Sequence, residues 1–205
     1  MIQYEHRNYD QYVAVQRRMT ERKTQKGRKY FSWCDEDMMK EVNDIIHQYV
    51  DKIEKIVCHG CRCGTEVDVL QKLNPQAKVY GTDIYGNAYA FDRTYFREMD
   101  FDTVPEEWKE YFDVIYCNCI DHSRDPINTL LGWKSELRDG GISFVTFYWG
   151  RGISKEDCFH LDDRCPELDI KDLANRVGME IQYISSPYID RWRNCLADVV
   201  CRKSM

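Results

Sequence analysis

The sequence predicts an α/β fold in which helices cover both faces of a mostly parallel sheet. Short apolar runs that suit buried strands alternate with helix-like segments over residues 55–177. Alternation at this spacing implies right-handed βαβ crossovers, which make the strands parallel. The last two strand-like runs, 180–184 and 196–202, are joined by a stretch too short for a crossover helix, so they are predicted to form an antiparallel hairpin.

The composition indicates one enzyme-sized globular domain. A length of 205 residues, of which 43% are hydrophobic and 31% charged, suits a single domain with a sizeable core. No apolar run approaches the roughly 18 residues of a membrane span, and no signal-like apolar core is present at the N-terminus. Ten cysteines in such a chain are expected to stay reduced, so we expect a cytoplasmic protein. A net charge of −6 gives no overall attraction to nucleic acid.

Residues 1–52 are predicted to form an N-terminal helical cap that carries a basic segment. Seven cations and one acid lie within residues 17–29. Apolar residues then recur at three- and four-residue spacing between Met38 and Ile53, which predicts an amphipathic helix. The acidic run 35–37 suits the positive end of that helix.

Residues 53–205 are predicted to form the α/β core. The predicted strands are 55–59, 78–83, 97–99, 113–117, 142–147, 180–184 and 196–202. The predicted helices are 66–73, 87–96, 126–137 and 170–177. Pro126 suits the first turn of its helix, and Gly178 suits a helix end. The pair Gly140-Gly141 is predicted to turn the chain into the fifth strand.

The first core strand leads into a turn that predicts ligand binding. The apolar run stops at Gly60, a second glycine follows at Gly64, and a helix starts directly afterwards, so backbone N–H groups can approach a ligand closely. The next strand ends at Asp83, whose carboxylate can accept hydrogen bonds from both hydroxyls of a ribose. These residues together predict a cofactor that contains a nucleoside.

With these residues in place, residues 53–203 resemble the class I S-adenosylmethionine-dependent methyltransferases, in particular the small single-domain, type 11-like group. The resemblance is carried by Phe112-Asp-Val-Ile-Tyr-Cys-Asn-Cys-Ile-Asp-His-Ser-Arg-Asp-Pro126 and by Leu137-Arg-Asp-Gly-Gly-Ile142. It implies a Rossmann-like three-layer αβα sandwich with a seven-stranded sheet. It also implies transfer of a methyl group from S-adenosyl-L-methionine, with S-adenosyl-L-homocysteine as the product, to an acceptor that is more often a small molecule than a nucleic acid.

The resemblance assigns a role to each residue of the predicted cofactor site. The methionine part would be cradled by the loop residues Gly60, Cys61, Arg62 and Gly64 and flanked by Asn118 and Cys119. Asp83 would hold the ribose, Ile84 would pack on the adenine, Asp100 would accept from the adenine amino group, and Phe101 would offer its backbone N–H. Two loop positions differ from the family pattern, with Cys58 in place of an acidic residue and Arg62 in place of a glycine.

Several further residues are candidates for the acceptor side of the site. His122 and His160 are candidate general bases, because imidazole titrates near neutral pH, and both can equally be loop residues. Tyr148, Trp149 and Tyr30 can line a substrate pocket or contact a cation, and they can equally be core residues. The run Cys58-His-Gly-Cys-Arg-Cys63 is not expected to bind a metal, because successive strand side chains point to opposite faces.

Three other functions stay open. A nicotinamide-dependent oxidoreductase would use the same ribose carboxylate, although the loop lacks the second and third glycines of the dinucleotide fingerprint. The basic segment 17–29 would suit RNA or DNA as the methyl acceptor. A non-catalytic relative that serves as a partner subunit would explain the changes at Cys58 and Arg62.

Overall fold

The computed structural model describes residues 2–3, 8–25, 34–85, 95–150, 157–162, 164–189 and 195–204. Its strands are β1 (Ile2–Gln3), β2 (Lys55–His59), β3 (Lys78–Asp83), β4 (Phe96–Glu98), β5 (Phe112–Cys117), β6 (Leu137–Trp149), β7 (Phe159–His160), β8 (Met179–Ile184), β9 (Tyr188–Ile189) and β10 (Cys195–Lys203). Its α-helices are α1 (Tyr9–Gln25), α2 (Glu36–Ile46), α3 (Thr65–Leu73), α4 (Pro126–Glu136) and α5 (Pro166–Val177).

The main sheet has the strand order β4-β3-β2-β5-β6-β10-β8. Strands β4, β3, β2, β5 and β6 pair in parallel, whereas β10 pairs antiparallel with both β6 and β8. The short β9 pairs with the start of β10, and β1 pairs with β7 outside the sheet. The predicted fold, a seven-stranded and mostly parallel sheet closed by a C-terminal antiparallel hairpin, is confirmed.

The strand order reverses between β2 and β5, and this reversal decides where a ligand can bind. From β2 the chain moves outward to β3 and β4, then returns to β5 on the other side of β2. The loops after β2 and β5 therefore leave the sheet in opposite directions and open a crevice beyond the carboxyl ends of the strands.

The two faces of the sheet bury separate apolar clusters. Alternate residues of β2 show this directly, since Val57 joins the cluster under α4 and α5, whereas Ile56 and Cys58 join the cluster under α2 and α3. The largest fully buried side chain, Trp133 of α4, lies in the first cluster. Helices thus cover both faces, as predicted for a three-layer sandwich.

Most element bounds agree with the sequence, and β6 is the clearest exception. The predicted strands 55–59 and 78–83 have the bounds of β2 and β3. Strand β6 is longer than predicted because it already begins at Leu137, where Gly140 at a φ of 73° and a register shift against β5 replace a separate turn. The predicted helix 87–96 lies outside the described residues except for its end, where Phe96 belongs to β4.

Two helices precede the core strands. The predicted amphipathic helix is α2, whose N-cap Asp35 accepts a hydrogen bond from the Met38 N–H and whose buried face includes Met39 and Val42. It ends at Ile46 rather than reaching Ile53, because the chain turns at residues 47–49. Helix α1 lies within the predicted helical cap, although no bounds were predicted for it. Among the described residues, no helix combines the length and the apolar character needed to cross a membrane.

Candidate functional site

A cleft of about 420 Å³ opens beyond the carboxyl ends of β2, β3 and β5. Its lining comes from the loops after these strands and from α1. The lining residues are Tyr12, Gln16, Met19, Gly60, Arg62, Asp83, Ile84, Asp100, Phe101, Cys119 and His122. The position is the crevice that the strand order creates, and seven of the ten residues predicted to hold the cofactor lie in its wall.

The loop after β2 is bent tightly by three residues with positive φ. These are Gly60 at 69°, Arg62 at 42° and Gly64 at 77°, and Gly64 forms the left-handed N-cap of α3. A Cβ at Gly60 would overlap the Sγ of Cys119, so only glycine fits there. The backbone of the loop therefore lies directly against the wall formed by the end of β5.

Asp83 connects this loop to the end of β3. Its Oδ2 accepts a hydrogen bond from the Arg62 N–H at 2.8 Å, and its Oδ1 accepts one from the Tyr85 N–H at 3.0 Å. Burial raises the pKa of this carboxyl, while the two backbone donors and the Arg62 charge oppose the rise. Each oxygen of an ionised carboxylate has room for a second donor, so Asp83 can still accept hydrogen bonds from a ligand in the cleft.

Asp100 offers a second buried acceptor in the same cleft. Its Oδ1 accepts the Asp102 N–H at 3.1 Å, whereas its Oδ2 has no hydrogen-bond partner among the described residues. The next residue, Phe101, is held by its carbonyl, which accepts the indole N–H of Trp133 at 2.9 Å. A buried acceptor without a donor is uncommon in folded proteins, and a ligand amino group would satisfy it.

A buried polar network holds the end of β2 in place. The His59 ring bonds to the Thr82 hydroxyl and to the Glu136 carboxylate, each at 2.9 Å, and stacks on Trp133 at a centroid distance of 5.0 Å. The side chains of His59 and Glu136 are fully buried. This network fixes the strand ends just beneath the loop, so the cleft is built on a rigid base.

Helix α1 closes one side of the cleft, and sequence reasoning missed its lining residues. Tyr12, Gln16 and Met19 are buried and line the cleft. Arg17, on the same helix, donates to the Ile84 carbonyl at 3.3 Å and forms an ion pair with Glu98 at 3.1 Å. The three lining residues recur at four- and three-residue spacing, which was the available signal of a helix face.

Three of the predicted cofactor residues lie behind the cleft wall. Cys61 is fully buried in the cluster under α2 and α3. Gly64 shapes the start of α3 without lining the cleft. The Asn118 amide donates to Cys34 Sγ at 2.8 Å, and its carbonyl accepts the Tyr148 hydroxyl at 3.0 Å.

The candidate acceptor-side residues are placed differently from one another. His122 lines the cleft, whereas His160 is buried in β7. Tyr148 and Trp149, at the end of β6, are buried, and the Tyr148 hydroxyl is engaged with the Asn118 carbonyl. Tyr30 lies outside the described residues.

Among the described residues, the cleft lining offers the carboxylate acceptors Asp83 and Asp100 and one cationic side chain, Arg62. The Cys119 thiol is held neutral, because its hydrogen bond to Cys117 and its burial raise its pKa well above the usual value. Burial raises the pKa of both Asp83 and Glu66, and the positive charge of Arg62 opposes both rises. A ligand with donors for two carboxylates and an anionic group for the arginine would match this lining.

No protein-family model and no curated protein matches this sequence. Many solved structures share its fold. One is the Burkholderia thailandensis 1,6-didemethyltoxoflavin-N1-methyltransferase with bound 1,6-didemethyltoxoflavin and S-adenosylhomocysteine, at 14% identity and a TM-score of 0.76, over 100% of this chain and 94% of that one. The agreement confirms the methyltransferase-type Rossmann-like fold that the resemblance implied.

Two further matches show how widely this fold is used. The [4+2]-cyclase SpnF aligns at 13% identity and a TM-score of 0.62 over 80% of both chains. A chain from a complex that contains the Haloferax volcanii Trm112 methyltransferase activator aligns at 17% identity and a TM-score of 0.59, over 83% of this chain and 94% of that one. The fold alone therefore does not decide the reaction.

Proposed function

We propose that the protein is a methyltransferase that uses S-adenosyl-L-methionine and releases S-adenosyl-L-homocysteine. The observation that carries this proposal is the placement of two buried carboxylates, Asp83 and Asp100, in one cleft with the glycine loop after β2. A nucleoside presents a ribose diol and an adenine amino group, which are donors for two separated acceptors. The free Oδ2 of Asp100 and the remaining acceptor sites of Asp83 fit that pattern.

The methionine end of the cofactor would lie along the loop from Gly60 to Gly64. Gly60 lines the cleft and has no side chain, so a ligand can approach its backbone closely. Arg62 lines the cleft, so its guanidinium is available for the cofactor carboxylate. In this proposal Arg62 binds the carboxylate of the cofactor. This contact compensates in part for Cys58, which stands where the family has an acidic residue that helps to hold the amino group of the cofactor.

The cofactor supplies an activated methyl group on a sulfonium, and the protein's contribution is mainly alignment. In-line placement of donor and acceptor converts a bimolecular reaction into an effectively unimolecular one. Helix α1 would cover the bound reactants through Tyr12, Gln16 and Met19 and restrict water. We therefore include residues 1–52, the predicted cap, in the functional unit.

His122 is the stronger candidate for a general base. It lines the cleft, whereas His160 is buried in β7 and is not among the lining residues. Once an acceptor is known, His122→Gln is expected to lower kcat by about a hundredfold if the acceptor must lose a proton. An equal loss in His160→Gln with an unchanged His122→Gln would reverse this assignment.

We further propose a small molecule as the acceptor. The Burkholderia thailandensis structure of the same fold is described with a bound small molecule, 1,6-didemethyltoxoflavin, beside S-adenosylhomocysteine. Among the described residues, the cleft lining contains one cationic side chain, Arg62, which is little for a phosphate backbone. The basic segment 17–29 still permits a nucleic-acid acceptor, which would require binding of RNA or DNA that weakens steeply with salt.

Calorimetric titration with S-adenosylmethionine, S-adenosylhomocysteine, NAD⁺ and NADP⁺ tests the proposal. We expect binding of the two sulfur nucleosides with a Kd on the order of micromolar and no binding of the dinucleotides. Binding of the dinucleotides instead would indicate an oxidoreductase. Binding of none would contradict an enzyme of either kind and would favour a partner-subunit role, for which co-purification with a second chain is the next measurement.

A further inference from the structure

A cluster of metal-ligating side chains lies beside the cleft. The ligand atoms of Asp121, His122 and Asp157 all lie within 4.8 Å of one another. Asp121 and His122 belong to a short 3-10 helix after β5, and Asp157 lies just before β7. The cluster thus joins two loops that leave the carboxyl side of the sheet, and none of its members belongs to the cysteine-rich loop after β2.

Two buried side chains at this cluster have polar atoms that no hydrogen bond satisfies. Asp121 is 7% exposed, and its Oδ1 has no hydrogen-bond partner among the described residues. His160 is 1% exposed, and neither of its ring nitrogens has one. Strand β7, which carries His160, packs against the short 3-10 helix that carries Asp121 and His122. Unsatisfied groups gathered at one place are what an ion would satisfy.

We propose that Asp121, His122 and Asp157 bind a divalent transition-metal ion. Two carboxylates balance the charge of a divalent ion, and the imidazole adds a nitrogen donor that favours first-row transition metals over Mg²⁺. Tetrahedral ligand atoms about 2.0–2.2 Å from one ion lie roughly 3.3–3.6 Å apart, so side-chain shifts of less than about 1 Å close the site.

The position of the ion links it to the cleft. His122 belongs to both the cluster and the cleft lining, so the ion lies at the edge where an acceptor would enter. A transition-metal ion held by three protein ligands keeps a fourth position open to an outside ligand. This last role rests on the proposed function, whereas the metal site itself does not. With the ion bound, His122 is a ligand and its general-base role is replaced, because a nitrogen that coordinates a metal cannot also accept a proton.

Metal titration of the chelator-treated full chain tests the site. Co²⁺ is the first probe because its visible absorption reports its coordination, and Mg²⁺ is the comparator. We expect one equivalent of Co²⁺ to bind and to raise Tm, with Mg²⁺ much weaker. Asp157→Asn and His122→Gln should each weaken Co²⁺ binding by about a hundredfold or more. These two positions are only partly buried, so their variants should fold even where an Asp121 variant does not.

Two matched controls separate this site from other sources of binding. Asp139→Asn removes an acid outside the cluster whose side chain is 70% exposed. Cys63→Ser removes a partly exposed thiol in the loop after β2. Neither substitution should change the Co²⁺ affinity. Loss of binding in Cys63→Ser with retention in Asp157→Asn would overturn the proposal, as would no Co²⁺ binding at about 1 mM or stronger binding of Mg²⁺.

Cofactor titration of the same samples keeps the two proposals apart. Asp157→Asn should lose Co²⁺ and keep the S-adenosylhomocysteine affinity of the unaltered chain. Co²⁺ binding in a protein that binds no sulfur nucleoside would refute the proposed function and leave the metal site standing.

Discussion

The backbone N–H of Arg62 lies 2.8 Å from Asp83 Oδ2, and this bond holds the loop after β2 against the end of β3. The other carboxylate oxygen accepts the Tyr85 N–H, so Asp83 is fixed from both sides before any ligand binds. Arg62 has a positive φ of 42°, a conformation that non-glycine residues seldom adopt. The carboxylate therefore both stabilises an unusual loop and presents its remaining acceptor sites to the cleft.

Asp83→Ala is expected to weaken S-adenosylhomocysteine binding by at least about tenfold, which corresponds to about 1.4 kcal/mol. The variant removes the acceptor for the ribose hydroxyls and also the acceptor for two backbone donors. Calorimetry on the folded variant measures the affinity, and thermal unfolding measures the cost to the loop.

Asp125→Ala is the matched control for this loss. The Asp125 carboxylate also accepts two hydrogen bonds, from the Asn128 N–H and its side-chain amide, at the N-cap of α4 away from the cleft lining. We expect it to lower Tm while leaving affinity unchanged. Unchanged affinity in Asp83→Ala would show that the ribose does not bind there.

Gly60→Ala is expected to destabilise the protein more than Gly140→Ala does. Both glycines have a φ near 70°, so each substitution adds the left-handed strain of about 1–2 kcal/mol. Only at Gly60 does the new Cβ also overlap Cys119 Sγ, whereas nothing lies within 4 Å at Gly140. Overpacking of this kind adds about 1–3 kcal/mol, measurable by urea unfolding.

The double variant Gly60→Ala with Cys119→Ala separates the two causes. Removing the sulfur should recover the overpacking part and leave the left-handed strain, so the double variant should resemble Gly140→Ala. No recovery would mean that the loop moves away from β5 rather than pressing on Cys119.

The sequence predicted the sheet well because buried strands and glycine turns leave local signals. The apolar runs ending at His59 and Asp83 gave the bounds of β2 and β3. At Gly140 the local signal was misleading, since a positive φ there forms a bulge inside β6. Register against a neighbouring strand is a tertiary property, and single-sequence patterns carry little of it.

Side-chain direction limited what could be predicted about the site. Position along the chain placed Asn118 beside the cleft, but its amide turns away to Cys34. The metal cluster joins Asp121 to Asp157 through the fold, a pairing with no signal in sequence spacing. The cleft-lining face of helix α1 was missed because it mixes Tyr12, Gln16 and Met19, a weaker apolar stripe than that of α2.

Arg17→Ala is expected to speed S-adenosylhomocysteine release by about two- to fivefold, because an exposed ion pair and one backbone contact contribute up to about 1 kcal/mol. Arg17 joins α1 to the Ile84 carbonyl and to Glu98 across the cleft. Arg18→Ala, a neighbouring exposed arginine, removes the same charge and should leave the rate unchanged. Stopped-flow displacement measures the release rate of both variants. Equal effects would indicate that the loss of positive charge matters, rather than the contacts by which Arg17 holds α1 in place.

Glu66→Gln is expected to stabilise the protein at alkaline pH and not at acidic pH. Burial raises the pKa of Glu66 to about 7, and its Oε2 has no hydrogen-bond partner among the described residues. Between the unfolded value of 4.5 and about 7, the folded chain retains a proton that the unfolded chain has released, so stability falls as pH rises through this window. The uncharged glutamine removes that loss, which is on the order of 3 kcal/mol at full development.

Urea unfolding of Glu66→Gln and the unaltered chain at pH 5 and pH 8.5 measures the effect as a difference, so that other titrating groups cancel. Glu167→Gln is the control, because Glu167 occupies the same second position of α5 and is exposed. The Glu66→Gln advantage should grow by about 2–3 kcal/mol between the two pH values, and that of Glu167→Gln should not change. A stability advantage of Glu66→Gln that does not change with pH would contradict the raised pKa of the buried Glu66 carboxyl.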